Sequence, residues 1–336
     1  MRRDRARSER FALGVTNCRP AAEVTTTVVE AESLGAEIAF IAEDIGCRDA
    51  FLLGAVAAEQ TSSIRVATGV ANPYTRNPTA LAMAAATLDE VSGGRAILGL
   101  GSSSPSLIEG QMGIPAGRSV AVMRESVGIV RGLLSGRAVS FEGERFRYRD
   151  ARLEAAPSQE RIPIFFAAMG PQMLRLAGRI ADGVLLNVGA TTDYVRWAVA
   201  EIAGGAAAAD RGMDEITIAA WITAYVTEDH ASGLQRAREW LAGMLSIPRQ
   251  GELILEHAGG DLSILSDIRA VCGFYPAHGD RAAGAQFVTA DLAERMTIIG
   301  TAERAHDRLA EYRAAGVQMP VLSIAALRAL YAGPQR

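Results

Sequence analysis

Short apolar runs alternate with longer amphipathic segments along almost the whole chain. Eight of these runs are rich in β-branched and other apolar residues and have the length of buried strands. The predicted strands cover residues 11–15, 38–42, 64–70, 96–101, 164–168, 184–187, 216–226 and 321–324. Regularly spaced strands of this kind predict a sheet that lies at the centre of the molecule.

The segments between the predicted strands carry apolar residues at helical spacing. The predicted helices cover residues 21–34, 50–60, 79–91, 119–134, 172–180, 192–209, 231–245 and 302–315. This alternation predicts an α/β fold, a (β/α)8 TIM barrel with insertions. A doubly wound sheet is the main alternative, but no GxGxxG motif follows the first predicted strand and the strand count closes at eight.

Two connections are too long for the loops of an α/β unit, which usually have about 2–6 residues. Residues 137–157 alternate in polarity around Glu142-Gly143-Glu144 and predict a hairpin. Residues 246–299 precede the last predicted helix and are interpreted as a substrate lid. The predicted organisation is therefore a flexible N-terminal arm at 1–10 and one barrel domain at 11–336 with these two insertions.

Composition supports one large domain and argues against some kinds of binding and catalysis. The 336 residues are 49% hydrophobic and 21% charged, and the net charge of −4 argues against nucleic-acid binding. All 34 basic residues are arginine, which excludes lysine-based chemistry such as a Schiff base. No stretch approaches the roughly 20 apolar residues of a membrane span.

The cysteines and histidines show no pattern of a metal site. Cys18, Cys47 and Cys272 lie far apart without a CxxC pair, so the sequence indicates neither a zinc site nor a disulfide framework. The four histidines have no HxH or HExxH spacing. We therefore expect no metal and a reducing, cytoplasmic location.

The third predicted strand ends in a turn-rich segment. Ile64, Val66, Thr68 and Val70 alternate as in a buried strand, and the prolines of the segment 72–78 prevent its extension. A helix begins near residue 79. In α/β barrels ligands bind at the carboxyl ends of the strands, so this segment predicts an active site.

Three other strand ends carry candidate chemistry. Gly101-Ser102-Ser103-Ser104 ends the fourth strand, where small residues permit close approach of a ring or phosphate, although a plain turn is an open alternative. Ala168-Met169-Gly170-Pro171-Gln172 opens a helix whose free amides favour an anion, unless it is an ordinary turn. Glu43 and Asp44 end the second strand, where one carboxylate is expected to face the pocket, with helix capping or an Arg48 ion pair as the alternative.

Taken together, these segments resemble the bacterial luciferase-like superfamily. The resemblance is carried by residues 69–78, Ser92-Gly93-Gly94-Arg95 with Gly99-Leu100-Gly101, Ser104-Pro105 with Glu109-Gly110, and residues 168–172. Residues 299–303 before the last predicted helix extend it towards the carboxyl terminus. Within the superfamily the chain is most similar to the coenzyme F420-dependent branch that includes methylenetetrahydromethanopterin reductases.

The resemblance implies a cofactor seat at the strand ends. A flavin or deazaflavin ring would rest on a bulge after the third strand, formed by Gly69, Val70, Ala71 and Asn72, with a non-prolyl cis peptide at Gly69–Val70. Residues 102–104 would meet the ring or ribityl chain, and residues 168–172 the cofactor phosphate.

The chain also departs from the pattern of the branch. Glu43-Asp44 stands where an Asp-His pair is common, Arg76-Asn77-Pro78 replaces Arg-His-Pro, and Thr16-Asn17-Cys18 replaces an acid after the first strand. We assign proton transfer to Asp44, with Glu43 as the second choice. Tyr74, Trp221 and the pair Phe274-Tyr275 are the candidates for an apolar substrate wall.

The sequence therefore predicts a coenzyme F420-dependent oxidoreductase that transfers a hydride between deazaflavin and a small organic substrate. One alternative is an FMN-dependent monooxygenase that receives reduced flavin from a partner reductase. A non-catalytic flavin-binding protein is the other alternative. A flavin or F420 reductase is the expected source of reductant, and a homodimer is the expected assembly.

Overall fold

Eight parallel strands close into a barrel in the computed structural model, which describes residues 9–186, 189, 191–273 and 279–332. Around the barrel the neighbouring strands are β1, β12, β9, β8, β7, β4, β3 and β2. The strands of the described residues are β1 Ala12–Val15, β2 Ile38–Ile41, β3 Arg65–Thr68, β4 Ala96–Leu100, β5 Val139–Glu142, β6 Arg147–Ala151, β7 Ile164–Ala168, β8 Gly183–Leu186, β9 Thr217–Trp221, β10 Ala224–Val226, β11 Ile298–Gly300 and β12 Met319–Leu322. The predicted TIM barrel is confirmed.

Helices surround the barrel and fill the second insertion. In the described part of the chain they are α1 Ala21–Leu34, α2 Ala50–Glu59, α3 Pro78–Val91, α4 Ser119–Leu134, α5 Pro171–Ile180, α6 Thr192–Ala207, α7 His230–Leu245, α8 Gln250–His257, α9 Ile264–Cys272, α10 Arg281–Gly284, α11 Ala290–Met296, α12 Ala302–Ala314 and α13 Ile324–Tyr331. None of the described helices is both long and apolar enough to cross a bilayer.

Some element boundaries differ from those predicted. The apolar run 216–226 contains two strands, because the chain leaves the barrel after β9 and β10 pairs with β11 in a separate sheet. The last helix, α13, is absent from the sequence prediction, which took its first residue as the end of a strand. Arg10, the last residue of the predicted arm, forms an ion pair with Glu37 at 2.9 Å.

Alternation along the strands separates the barrel interior from the helix-facing side. On β2, Ile38 and Phe40 belong to the interior cluster, whereas Ala39 and Ile41 pack towards the helices. The interior is filled by side chains from all eight strands, including the tilted ring pair Phe40 and Phe165. A ligand therefore has room only at the mouth, beyond the carboxyl ends of the strands.

The first insertion is the predicted hairpin, and Glu125 of α4 holds its turn. The carboxylate is only 2% exposed and accepts hydrogen bonds from the backbone N–H groups of Glu144, Arg145 and Phe146 at 2.8–3.1 Å. Burial opposes ionisation, but the three donors outweigh it and lower the pKa of Glu125. This contact fixes β5 and β6 against the barrel.

The turn 92–95 lies at the opposite end of the barrel from the mouth. Arg95 donates to the backbone carbonyls of Ile64, Ala58 and Thr61 at 2.7–3.0 Å. These bonds tie the entrance of β4 to the loop before β3. In TIM barrels this end carries residues that stabilise the fold, and the active site lies at the other end.

Cys18 and Cys47 form a disulfide bond, which corrects the sequence-based expectation of no disulfide. The two residues are 29 positions apart in the sequence, but they follow β1 and β2, which are paired in parallel register. Neighbouring strand ends bring their loops together, and the Cα atoms are 4.9 Å apart, within the range of a disulfide. Spacing in the sequence could not show this, because the pairing depends on the barrel.

A carboxylate at the end of α1 stabilises the start of β3. Oε1 of Glu32 accepts hydrogen bonds from the N–H groups of Ser62, Ser63 and Ile64 at 2.6–2.9 Å. Burial alone would raise the pKa of Glu32, but these donors lower it from 4.5 to about 2. The group is partly exposed, so we expect Glu32→Gln to lower the free energy of unfolding by about 1–2 kcal/mol at pH 7.

This loss should depend on pH in a defined direction. Because the folded-state pKa lies below the unfolded one, the stabilisation is complete above about pH 4.5 and disappears as the pH falls towards 2. Urea unfolding at pH 7, 5 and 4 measures the difference between wild type and Glu32→Gln, with the exposed Glu59→Gln as control. A difference that does not shrink with falling pH would contradict the assignment.

Candidate active site

The bulge after β3 forms the centre of the mouth. The peptide bond between Gly69 and Val70 is cis, as the family resemblance implied. Ala71 then pairs with the end of β4, because its N–H donates to the carbonyl of Gly99 and its carbonyl accepts from the N–H of Gly101, both at 2.9 Å. Gly69 and Val70 are partly exposed, whereas Ala71 is buried. The surface available to a ligand is therefore at Gly69 and Val70.

Two glycines of β4 and its end make room for this bulge. A Cβ atom at Gly99 would lie 1.9 Å from the carbonyl oxygen of Thr68, and one at Gly101 would lie 2.6 Å from Cγ2 of Val70. The same added Cβ atom at Gly101 would lie 3.3 Å from the Cβ atom of Ala167 in β7. These two glycines thus first accommodate the protein's own chain, the backbone of Thr68 and the side chain of Val70.

Trp221 covers the floor of the mouth. A Cβ atom at Gly14 would lie 2.5 Å from Cζ2 of the indole, and one at Gly69 would lie 3.5 Å from Cζ3. The indole therefore spans the distance between the end of β1 and the bulge. Trp221 is partly exposed at the end of β9. The sequence predicted Trp221 for an apolar substrate wall, and the structure places its indole beside the bulge. Gly14 is a contributor that the sequence did not reveal.

Asn72 and Tyr74 shape the loop that follows the bulge. Oδ1 of Asn72 accepts hydrogen bonds from the N–H groups of Tyr74 and Thr75 at 3.1 and 2.9 Å, so this oxygen holds a turn. Tyr74 is 9% exposed and packs with Ile108 and Val122. Burial raises the pKa of Tyr74, and among the described residues its hydroxyl has no hydrogen-bond partner.

The serine loop after β4 has two different parts. Ser102 is partly exposed and Ser103 is exposed with φ of 53°, so both are accessible at the mouth. Ser104 instead starts the π-helical turn Ser106–Gln111, because its carbonyl accepts from the N–H groups of Leu107 and Ile108 at 3.1 Å. Contact with a ligand is therefore available to Ser102 and Ser103 more than to Ser104.

The amino end of α5 adjoins free space. The helix follows β7 closely, and Ala168 is the last residue of that strand. Gly170 is the N-cap residue and Pro171 the first helical residue, and no side chain caps the helix. A Cβ atom at Gly170 would meet no atom within 4 Å, and Gln172 is exposed. The free amides of this first turn can bind an anion.

The preceding residue belongs to a neighbouring aromatic cluster. The carbonyl of Met169 accepts a hydrogen bond from the hydroxyl of Tyr194 in α6 at 3.0 Å. Trp197 and His257 pack beside Tyr194, with 4.2 Å between the centroids of their rings. This contact fixes the loop before Gly170 to the second insertion.

Glu43 is engaged in an ion pair on the helix side of the mouth. Nε of Arg76 lies 3.2 Å from Oε1 of Glu43, and the guanidinium also contacts Asp49, the N-cap residue of α2. The Arg76 guanidinium lies over the ring of Phe51. Burial raises the pKa of Glu43, and the ion pair opposes this shift without cancelling it.

Asp44 is held by the buried side chain of Asn17. Oδ1 of Asn17 accepts from the N–H of Asp44 at 3.1 Å, and Nδ2 donates to the carbonyl of Asp44 at 3.2 Å and to that of Arg48. Asp44 lies in the loop after β2, which ends at Ile41, and is partly exposed. Asn17 is 0% exposed, so the hydrogen bonds that fix the Asp44 loop come from a buried side chain.

Two of the predicted wall residues, Phe274 and Tyr275, lie outside the described residues. Among the described ones, no three His, Cys, Asp or Glu side chains are placed to bind a metal. The mouth thus combines an accessible bulge, an indole floor, an uncapped helix start and the loop of Asp44, whose backbone Asn17 fixes. It offers a broad surface for a planar ring and an anion site beside it.

The eight-stranded parallel barrel places this mouth where TIM-barrel enzymes have their active sites. The model of the luciferase-like monooxygenase family matches residues 6–319. The chain belongs to this family.

Its relatives include enzymes with a named cofactor. The 5,10-methylenetetrahydromethanopterin reductase of Methanolobus tindarius is 33% identical over 288 residues, 85% of each chain. The F420-dependent glucose-6-phosphate dehydrogenase of Beutenbergia cavernae is 32% identical over 209 residues, 61% of each chain. The structure of the coenzyme F420-dependent tetrahydromethanopterin reductase of Methanopyrus kandleri superposes with a TM-score of 0.87 and 27% identity, and covers 96% of this chain and 98% of its own.

Proposed function

We propose that this protein is a coenzyme F420-dependent oxidoreductase that transfers a hydride between the deazaflavin and a small organic substrate. The observation that carries the proposal is the seat at the barrel mouth, in which the bulge at Gly69–Val70 lies between the ends of β2 and β4 above Trp221. Its relatives use F420 for different substrates, so the cofactor is the better supported part.

The residues present fit this cofactor. The half-exposed backbone of Gly69 and Val70 presents no large side chain above the indole of Trp221, and the empty space at Gly170 adjoins free amides. Gly69 and Val70 would hold the ring, the partly exposed Ser102 would contact the ribityl chain, and the start of α5 would bind the phosphate. Bound F420 supplies a carbon centre that donates or accepts a hydride.

Asp44 is our choice for holding and moving the proton that accompanies hydride transfer. Oε1 of Glu43 lies 3.2 Å from Nε of Arg76, and the hydrogen bonds from Asn17 fix the backbone of Asp44 at the strand end. A fixed backbone limits the positions that the Asp44 carboxylate can take, which favours proton transfer. The buried interior below the mouth excludes water from the inner side of the site.

A titration of purified apoprotein with F420 and, separately, with FMN tests the cofactor. We expect F420 to bind with a change in cofactor fluorescence and a higher melting temperature, because ligand binding to the folded state stabilises it. Tight FMN binding without a response to F420 would instead support the monooxygenase alternative. Binding of F420 without hydride transfer to any of a panel of substrates would favour the non-catalytic alternative.

We also propose a homodimer in the cytoplasm, supplied with reduced cofactor by a separate F420 reductase. Leu52 and Val56 of α2 and Met83 of α3 are 69%, 48% and 55% exposed on adjacent outer helices. A second copy of the chain would cover this apolar face. Light scattering should give the mass of a dimer for wild type and a lower mass for Leu52→Glu. The mass of a monomer for both proteins would contradict the homodimer.

A further inference from the structure

The disulfide of Cys18 and Cys47 lies at the mouth, and both residues are exposed to solvent. Each sulfur is therefore within reach of a small thiol or disulfide. Cys272, the other cysteine, is buried at the end of α9, and burial raises the pKa of its thiol. Because thiol–disulfide exchange needs an accessible thiolate, the two kinds of cysteine should differ in reactivity.

Hydrogen bonds connect the disulfide to the loop that carries Asp44. The N–H of Cys47 donates to the carbonyl of Asp44 at 3.1 Å, and Nη1 of Arg48 donates to the carbonyl of Cys18 at 3.0 Å. Asn17, directly before Cys18, bonds to Asp44 and to Arg48. The covalent bond and these hydrogen bonds thus join the loops after β1 and β2 at the backbone of Asp44.

We propose that Cys18 and Cys47 form a reversible thiol–disulfide exchange site that sets the order of the Asp44 loop. A small-molecule disulfide oxidises the pair in two exchange steps: one protein thiolate breaks its S–S bond and forms a mixed disulfide, and the second then displaces the remaining small thiol. One S–S bond forms between the cysteines, and two small thiols leave with the two protons of the protein thiols. A dithiol reductant reverses these steps and becomes a cyclic disulfide. In a reducing compartment such pairs are usually regulatory, which agrees with the proposed location.

Opening the bond leaves the two loops joined by hydrogen bonds alone. Residues 16–19 and 44–48 are then free to open more often, since a covalent crosslink no longer limits their separation. We expect their amide exchange in the apoprotein to be about tenfold faster after reduction. The effect on catalysis rests on the proposed function, because it requires Asp44 to take part in the reaction.

The first measurement counts accessible thiols in the native protein. Maleimide labelling followed by mass spectrometry should add no label after equilibration with glutathione disulfide and two labels after treatment with dithiothreitol, with Cys272 unlabelled in both. The Cys18→Ser/Cys47→Ser double variant should take up no maleimide after either treatment. Equal labelling of the wild type in both buffers would overturn the exchange site.

Hydrogen–deuterium exchange and turnover then separate the two proposals. Reduction should speed exchange in residues 16–19 and 44–48 of wild type and of Cys272→Ser, but not of the double variant. Unchanged exchange in the wild type would overturn the claim that the bond orders the loop. Faster exchange with unchanged F420-dependent turnover would support the thiol–disulfide exchange site and contradict the role of Asp44 in proton transfer.

Discussion

Replacing Asp44 with asparagine is expected to lower kcat/KM for F420-dependent hydride transfer by about 10²–10³-fold, the usual contribution of a positioned acid or base. Asparagine keeps the size of the side chain and the backbone bonds to Asn17, but it cannot exchange a proton. Cofactor affinity, followed by fluorescence, should change little. Steady-state kinetics across pH would measure the loss, and the variant should show a flatter pH profile than wild type.

Glu43→Gln is the matched control. Its side chain faces Arg76 and the start of α2, so we expect a loss of stability and a change in kcat/KM of no more than about threefold. The reverse order, with Glu43→Gln nearly inactive and Asp44→Asn active, would transfer the proton role to Glu43. Loss of activity in both with unchanged folding would indicate that the two carboxyl groups act together.

Gly99→Ala is expected to have the largest effect on the fold of the mouth. The added Cβ would lie 1.9 Å from the carbonyl oxygen of Thr68 and 3.1 Å from Cγ1 of Val70, so β3 and β4 would have to separate. The hydroxyl of Thr68 also bonds to the carbonyl of Gly99 at 2.8 Å. We expect a loss of about 3 kcal/mol or more in the free energy of unfolding, as for other overpacked buried sites.

Gly128→Ala provides the control for this substitution. Gly128 lies within α4, and a Cβ atom there would meet no atom within 4 Å. Alanine in a helix interior is favoured over glycine by roughly 0.5–1 kcal/mol, so this variant should be slightly more stable than wild type. Urea unfolding compares the two. Equal stability of Gly99→Ala and wild type would contradict the close packing of β3 against β4.

Periodicity was enough to predict the barrel, because each strand and helix carries its own local pattern. The run 164–168 coincides with β7, and 119–134 coincides with α4. The helices of the second insertion could not be predicted individually, since they bury their apolar faces against one another in a separate cluster. The last helix, α13, was missed because its short apolar sequence follows β12 without a turn signal.

The candidate site was predictable where function depends on backbone and small residues. Family resemblance located the bulge at Gly69–Val70, and the open helix start at Gly170 followed from its local sequence. The contact of Asn17 with Asp44 joins loops that are 27 residues apart, so no local pattern contains it. The different surroundings of Glu43 and Asp44 likewise arise only when β2 meets its neighbours.

The indole of Trp221 gives this site an optical reporter of its own. The chain contains three tryptophans, and only the ring of Trp221 packs against both the end of β1 and the bulge. A chromophore resting on Gly69 would quench its emission. The wild-type protein can therefore report occupancy of its own mouth without a label, and Trp221→Phe identifies the part of the signal that belongs to the seat.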